Sequence, residues 1–88
     1  MNRRGMKKSL FSKDYKRFLK LLREVRERAG LTQGQIADRL ETTQSVVSKC
    51  ERGERRLDIV ELKAWCQALD TSLPAFITEF EKVLEEGE

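Results

Sequence analysis

LTQGQIADRLETTQSVVSKCERG, residues 31–53, reads as two short helices joined by a three-residue turn. Thr32 and Thr43 are placed as N-caps, because a threonine hydroxyl accepts from the otherwise unpaired amides of a first turn. Ile36, Ala37 and Leu40 give the first helix its apolar stripe, and the small Ala37 lets another helix backbone come close. Glu41, Thr42 and Thr43 make the turn. The second helix runs from about Gln44 to Glu51, with Val47 and Cys50 on one face, and Gly53 stops it. The face left free by those apolar residues is polar and basic, carrying Gln44, Ser45, Ser48 and Lys49.

Toward the N-terminus, Tyr15, Phe18, Leu19, Leu22, Val25 and Ala29 recur at three- and four-residue steps. They predict a helix capped by Ser12 and closed by Gly30. Residues 1–11 are basic and without periodicity, and are expected to form a mobile arm. Toward the C-terminus, Asp58 and Glu61 have the spacing of a capping box, ahead of the stripe Ile59, Leu62, Trp65, Cys66 and Leu69. Ser72 is placed as the cap of a last helix, with Pro74 tolerated in its first turn. Phe76, Ile77, Phe80, Val83 and Leu84 form that helix's apolar face. No segment alternates with period two. The expectation is an all-α fold, one compact five-helix domain over residues 12–86, with a helix-turn-helix at about 33–52.

Composition narrows the function. At 88 residues the chain has core for one small domain, and no apolar run approaches the ~20 residues of a membrane span. The start, residues 1–9, is basic but lacks the apolar stretch of a secretory signal, so a cytoplasmic location is expected. The net charge of +3 is unevenly spread. Residues 1–28 hold eleven Lys/Arg against three acids, whereas residues 58–88 hold two lysines against eight acids. That polarity suits a protein with one side toward a polyanion. With no histidine, and with Cys50 and Cys66 in separate helical patterns, no metal site is expected; both cysteines read as small buried hydrophobes. No nucleophile stands beside a base and no phosphate loop is present, which argues against an enzyme. No cofactor is expected.

Residues 19–70 resemble the phage repressor/Cro-type helix-turn-helix regulators, also called the xenobiotic-response-element family. The matching positions are Leu22, Arg26, Gly30, Leu31, Thr32, Gln33, Ile36, Ala37 and Leu40, then Ser48, Lys49, Glu51 and Gly53, then Leu57, Asp58 and Leu62 through Leu69. The resemblance implies a repressor-like DNA-binding domain whose second motif helix enters the major groove. Gln44, Ser45, Ser48 and Lys49 are then the candidate base readers, since glutamine pairs bidentately with adenine and lysine with guanine acceptors. Gln33 and Thr43 would contact the DNA backbone, with Gln33 also bracing the Gln44 side chain. Arg52, Arg55 and Arg56, at the end of the reading helix and in the loop after it, are further candidate phosphate contacts. Arg26 and Glu51 match a structural ion pair between the first and third helices. One position departs from the family: the turn residue after Leu40 is usually glycine, and here Glu41 would bear a cost of roughly 1–2 kcal/mol in a left-handed conformation.

Two functional readings stay open. The leading one is a stand-alone, sequence-specific transcriptional regulator, a repressor binding double-stranded DNA as a homodimer on a palindromic operator. The alternative is an antitoxin-like or adaptor protein whose C-terminal surface takes a protein partner, with DNA binding for autoregulation. In either case Leu21, Leu73, Phe76, Ile77, Phe80, Val83 and Leu84 are the candidate dimer or partner surface.

Overall fold

Five helices follow one another through short connections: α1 (Lys8–Arg28), α2 (Gln33–Leu40), α3 (Gln44–Glu51), α4 (Ile59–Ala68) and α5 (Leu73–Glu86). The computed structural model describes residues 8–86, with side chains from Lys13 onward, and no strand occurs among the described residues. α1 starts at Lys8, so Ser12 lies inside it instead of capping it. The physical reason is that residues 8–11 contain neither glycine nor proline, and a helix, once nucleated, adds such residues at little cost. Of the arm expected over residues 1–11, residues 1–7 lie outside the described residues.

α1 packs on α3 and α5, α2 on α3 and α4, and α4 on α5. Leu22, Ile36, Val47, Cys50, Cys66 and Phe76 are fully buried where these elements meet. Ala37 is buried with them, so α2 sits close against its neighbours. Phe18 meets both Phe76 and Phe80 edge-on, at ring-centroid distances of 5.8 and 5.9 Å, which fixes α5 across α1. Two residues of the predicted stripes stay outside. Ala29 is exposed beyond the last turn of α1. Ile59, the first residue of α4, is 59% exposed because it lies nearly one turn ahead of Leu62, where that helix first meets the core.

Helices α1 to α4 end in one way. Just past each helix one residue turns left-handed, directly after α2 and one residue later in the other three, and the next amide reaches back five positions, in the pattern of a Schellman motif. Leu31 N–H donates to the Arg26 carbonyl at 3.1 Å, and Thr42, Glu54 and Thr71 do the same to Ala37, Lys49 and Cys66 at 2.9 Å. Gly30 and Gly53 serve as the left-handed residue in α1 and α3, while Glu41 and Asp70 serve in α2 and α4 with φ of 59° and 63°. The turn after Leu40 is therefore left-handed, as the resemblance implied, and Glu41 carries the backbone cost that glycine would avoid. Arg39 ties α2 to the end of α4, donating from Nη1 to the Ala68 carbonyl at 2.7 Å and to Asp70 Oδ2 at 3.1 Å.

Candidate nucleic-acid interface

The second motif helix has two unlike sides. Val47 and Cys50 are buried, whereas Gln44, Ser45 and Lys49 are exposed and Ser48 is half-buried. Thr43 caps the helix, its hydroxyl accepting from Val46 N–H at 3.2 Å. Thr32 caps α2 in a full capping box, accepting from Gln35 N–H at 3.1 Å while Gln35 Oε1 accepts from Thr32 N–H at 2.8 Å. These caps start both helices at fixed residues, so the first turn of each presents its remaining amides outward. Gln44 reaches back over the first turn of α2. A Cβ added to Gly34 would stand 3.9 Å from Gln44 Oε1, so the bare glycine leaves room beside that amide.

Arg26 and Glu51 join α1 to α3 as a bidentate pair, Nε to Oε2 at 2.6 Å and Nη2 to Oε1 at 3.0 Å. Arg26 Nη1 also donates to the Leu31 carbonyl at 2.8 Å, which holds the α1–α2 connection. The hydrogen bond it donates to Glu51 raises the Arg26 pKa above its ordinary value, so this side chain stays charged. Glu51 Oε1 takes a third donor, Gln33 Nε2 at 3.0 Å. Gln33 is therefore oriented by the ion pair, and the bracing of Gln44 expected of it does not form. A carboxylate that already faces a buried guanidinium is a stronger acceptor than a neutral amide, which explains the choice.

Each of the three candidate backbone arginines has an intramolecular partner. Arg52 donates from Nε and Nη2 to both oxygens of Glu54, at 2.9 and 3.0 Å, and from Nη1 to the Ser48 hydroxyl. Arg55 pairs with Glu61 at 2.8 Å and lies 3.8 Å from Cys50 Sγ. Arg56 lies over the Tyr15 ring, 4.2 Å from its centroid. Glu54, Glu61 and Tyr15 thus shape this loop, although the sequence pattern marks Glu61 only as part of a cap and Tyr15 only as part of an apolar stripe, and does not single out Glu54. The signal available was the alternation of charge through Arg52, Glu54 and Arg55 about a glycine. Hydrogen bonds from Arg52 and Arg55 hold the Glu54 and Glu61 carboxyls below the usual range, so both remain ionised at neutral pH.

On the opposite side, Leu21 and Phe76 are 4% and 1% exposed and belong to the core. They leave the candidate partner surface, because α1 and α5 pack along that line. Leu73, Ile77, Phe80, Val83 and Leu84 are half-buried. Cys50 and Cys66 are free and buried, and burial pushes both thiols up, Cys50 despite Arg55. Among the described residues no group of side chains fits a metal ion, and no helix is long and apolar enough to cross a membrane.

Comparison with known proteins bears on the family and the fold. The helix-turn-helix domain family matches residues 17–75. Among solved structures, an XRE-family like protein from Pseudomonas syringae pv. tomato str. DC3000 is 38% identical, over 90% of this chain and 96% of its own, with a TM-score of 0.82. Two point mutants of the restriction-modification controller protein C.Esp1396I share the fold at 22% identity and TM-scores of 0.76, covering 82% of this chain and 91% and 94% of theirs. A search of curated proteins gave no match. The chain belongs to the XRE-type helix-turn-helix family of DNA-binding transcriptional regulators.

Proposed function

We propose that this protein represses transcription by binding a palindromic DNA operator as a homodimer, with α3 of each protomer in the major groove. The observation that carries the reading is the division of α3, buried at Val47 and Cys50 and exposed at Gln44, Ser45 and Lys49. Gln44 pairs with adenine and Lys49 donates to guanine, while Ser45 and Ser48 add single hydrogen bonds to base edges. Gln33, Thr43, Arg55 and Arg56 contact phosphates; each charged contact of this kind steepens the salt dependence by roughly 0.9 in slope. The half-sites lie about one helical turn, ~34 Å, apart. Leu73, Ile77, Val83 and Leu84 supply apolar surface for an isologous contact, and the acidic end of α5 stays away from DNA. Such a protein acts where the chromosome is, in the cytoplasm.

Selection of bound duplexes from a random pool tests this. The wild type should enrich a palindrome, and Gln44→Ala and Lys49→Ala should each lose preference at different base pairs. A wild type that enriches nothing above the Gln44→Ala background sinks the reading. A second reading, an antitoxin-like or adaptor protein, is favoured by Ile59 and Val60, which stand 59% and 72% exposed at the start of α4. Co-purification of a second polypeptide at fixed stoichiometry supports it, and full operator affinity and stability of the chain alone count against it.

A further inference from the structure

We infer that Arg52, oriented by Glu54, reads a guanine in each half-site and does not serve as a phosphate anchor. The inference rests on α3 being the helix that faces DNA. Gln44, Ser48 and Arg52 stand four residues apart and form one stripe along the side of α3 turned from the core. Arg52 does not splay outward from the end of that stripe. Its Nη1 donates back to the Ser48 hydroxyl. Gly53, at φ +81°, turns the chain so that Glu54 comes alongside the guanidinium and takes Nε and Nη2 at 2.9 and 3.0 Å. A long, rotamer-rich side chain is thereby fixed in plane and direction before DNA arrives.

Counting donors gives the ligand. A guanidinium has five N–H groups. Glu54 takes two and Ser48 one, which leaves one on Nη1 and one on Nη2. Two N–H groups from the two terminal nitrogens are what the O6 and N7 acceptors of guanine need. Charge separates this from a phosphate contact. An anionic phosphate at the fork would lie close to the Glu54 carboxylate and be repelled, whereas the guanine edge is an uncharged acceptor. Glu54 is a positioning residue in this arrangement, and Arg52 is the one that touches the base.

The test measures binding of the full chain to the duplex that the wild type selects, and to every single-base-pair variant of it, across a range of salt. Wild type, Arg52→Ala, Arg52→Lys, Glu54→Gln and Gln44→Ala are compared. At one G·C pair per half-site, the wild-type preference of about tenfold should largely vanish in Arg52→Ala, Arg52→Lys and Glu54→Gln. Preferences at the pairs lost in Gln44→Ala, and the salt slope of Arg52→Ala, should stay as in the wild type. Glu54→Gln should bind unrelated duplexes more tightly, since it removes a negative charge. If Arg52→Ala instead weakens every duplex by the same factor, with a slope shallower by about one, Arg52 is a phosphate contact and the inference is overturned. Base preferences that depend on Gln44 but ignore Arg52 overturn this inference alone. A wild type without any preference overturns the reading of α3 together with it.

Discussion

Arg26–Glu51 and Arg52–Glu54 make the same bidentate fork at the same end of α3, and they differ in almost everything else. Their contacts match closely, 2.6 and 3.0 Å in the first and 2.9 and 3.0 Å in the second. The first pair retains 9% and 4% of its side-chain exposure, and the second 53% and 55%. The first links residues 25 apart and so joins two helices, whereas the second links residues two apart across one turn. Water competes for each charge of the exposed pair and is shut out from the buried one. Matching geometry therefore says little about stability. Burial decides whether a fork is a tie between elements or a device for aiming a side chain.

The largest effect follows from breaking the buried fork. Arg26→Ala leaves the Glu51 carboxylate with Gln33 as its remaining side-chain donor, and should cost ~3–5 kcal/mol. In a domain of this size that lowers Tm by about 12 °C or more. Replacing both partners, as Arg26→Met with Glu51→Leu, should restore most of the stability, because no unpaired charge remains. Operator affinity should stay low in the double variant, since Gln33 loses the acceptor that orients it. Thermal unfolding followed by helical signal, set beside duplex binding, checks both. An Arg26→Ala protein that binds weakly but melts as the wild type does would show that this fork is no structural tie.

Gly53 sits inside the exposed fork, between Arg52 and Glu54, two residues after Glu51 of the buried one. At its φ of +81° a side chain is strained, and a Cβ there would stand 2.9 Å from Leu19 Cδ1. Gly53→Ala should cost about 2 kcal/mol or more, combining left-handed strain with displacement of Leu19. Gly30→Ala is the control, with φ +75° and open space around the new atom, and should cost about 1–2 kcal/mol from strain alone. The difference in denaturant midpoint between the two variants isolates the Leu19 contact. Equal losses would show that Leu19 yields freely.

Much of this architecture is legible in sequence because it is local. Thr32, Thr43 and Asp58 are recognisable as caps, and the stripes through Leu22, Ile36, Val47 and Leu62 follow the helical period. Contacts between distant residues leave no such trace. Nothing periodic announces that Arg39 reaches Ala68 and Asp70, or that Gln33 takes Glu51 in preference to Gln44. Periodicity also cannot say where a stripe leaves the core, so it shows neither that Ile59 is exposed nor that Leu21 and Phe76 belong to the interior. Asp70 hides its left-handed turn because aspartate is a less obvious choice there than glycine. Glu41 shows the same geometry where the family favours glycine. Glu41→Gly should therefore raise stability, by less than about 1 kcal/mol once the greater freedom of glycine in the unfolded chain is counted. A drop in Tm would mean that the Glu41 side chain supports the turn.

The smallest expected effect on stability belongs to the exposed fork, and it gives the sharpest contrast with the buried one. Glu54→Gln should leave Tm at neutral pH indistinguishable from wild type, although it removes the negative charge and one of the two acceptors that face Arg52. Arg52 holds the Glu54 carboxyl below its ordinary value of 4.5, so whatever stability the pair confers is present above that pH and fades as the pH falls through the lowered value. Glu61 is lowered in the same direction, first by Arg55 and then by the Asp58 amide, and it also closes the capping box of α4. Wild type should therefore lose stability slightly more steeply than Glu54→Gln below about pH 4.5, by a small margin for so exposed a pair, while Glu61→Gln, already short of its ionised cap, should show a clearly shallower acid loss. If Glu54→Gln instead lowered Tm as Arg26→Ala does, the exposed fork would be holding the turn at Gly53. Burial would then not be what separates the two pairs.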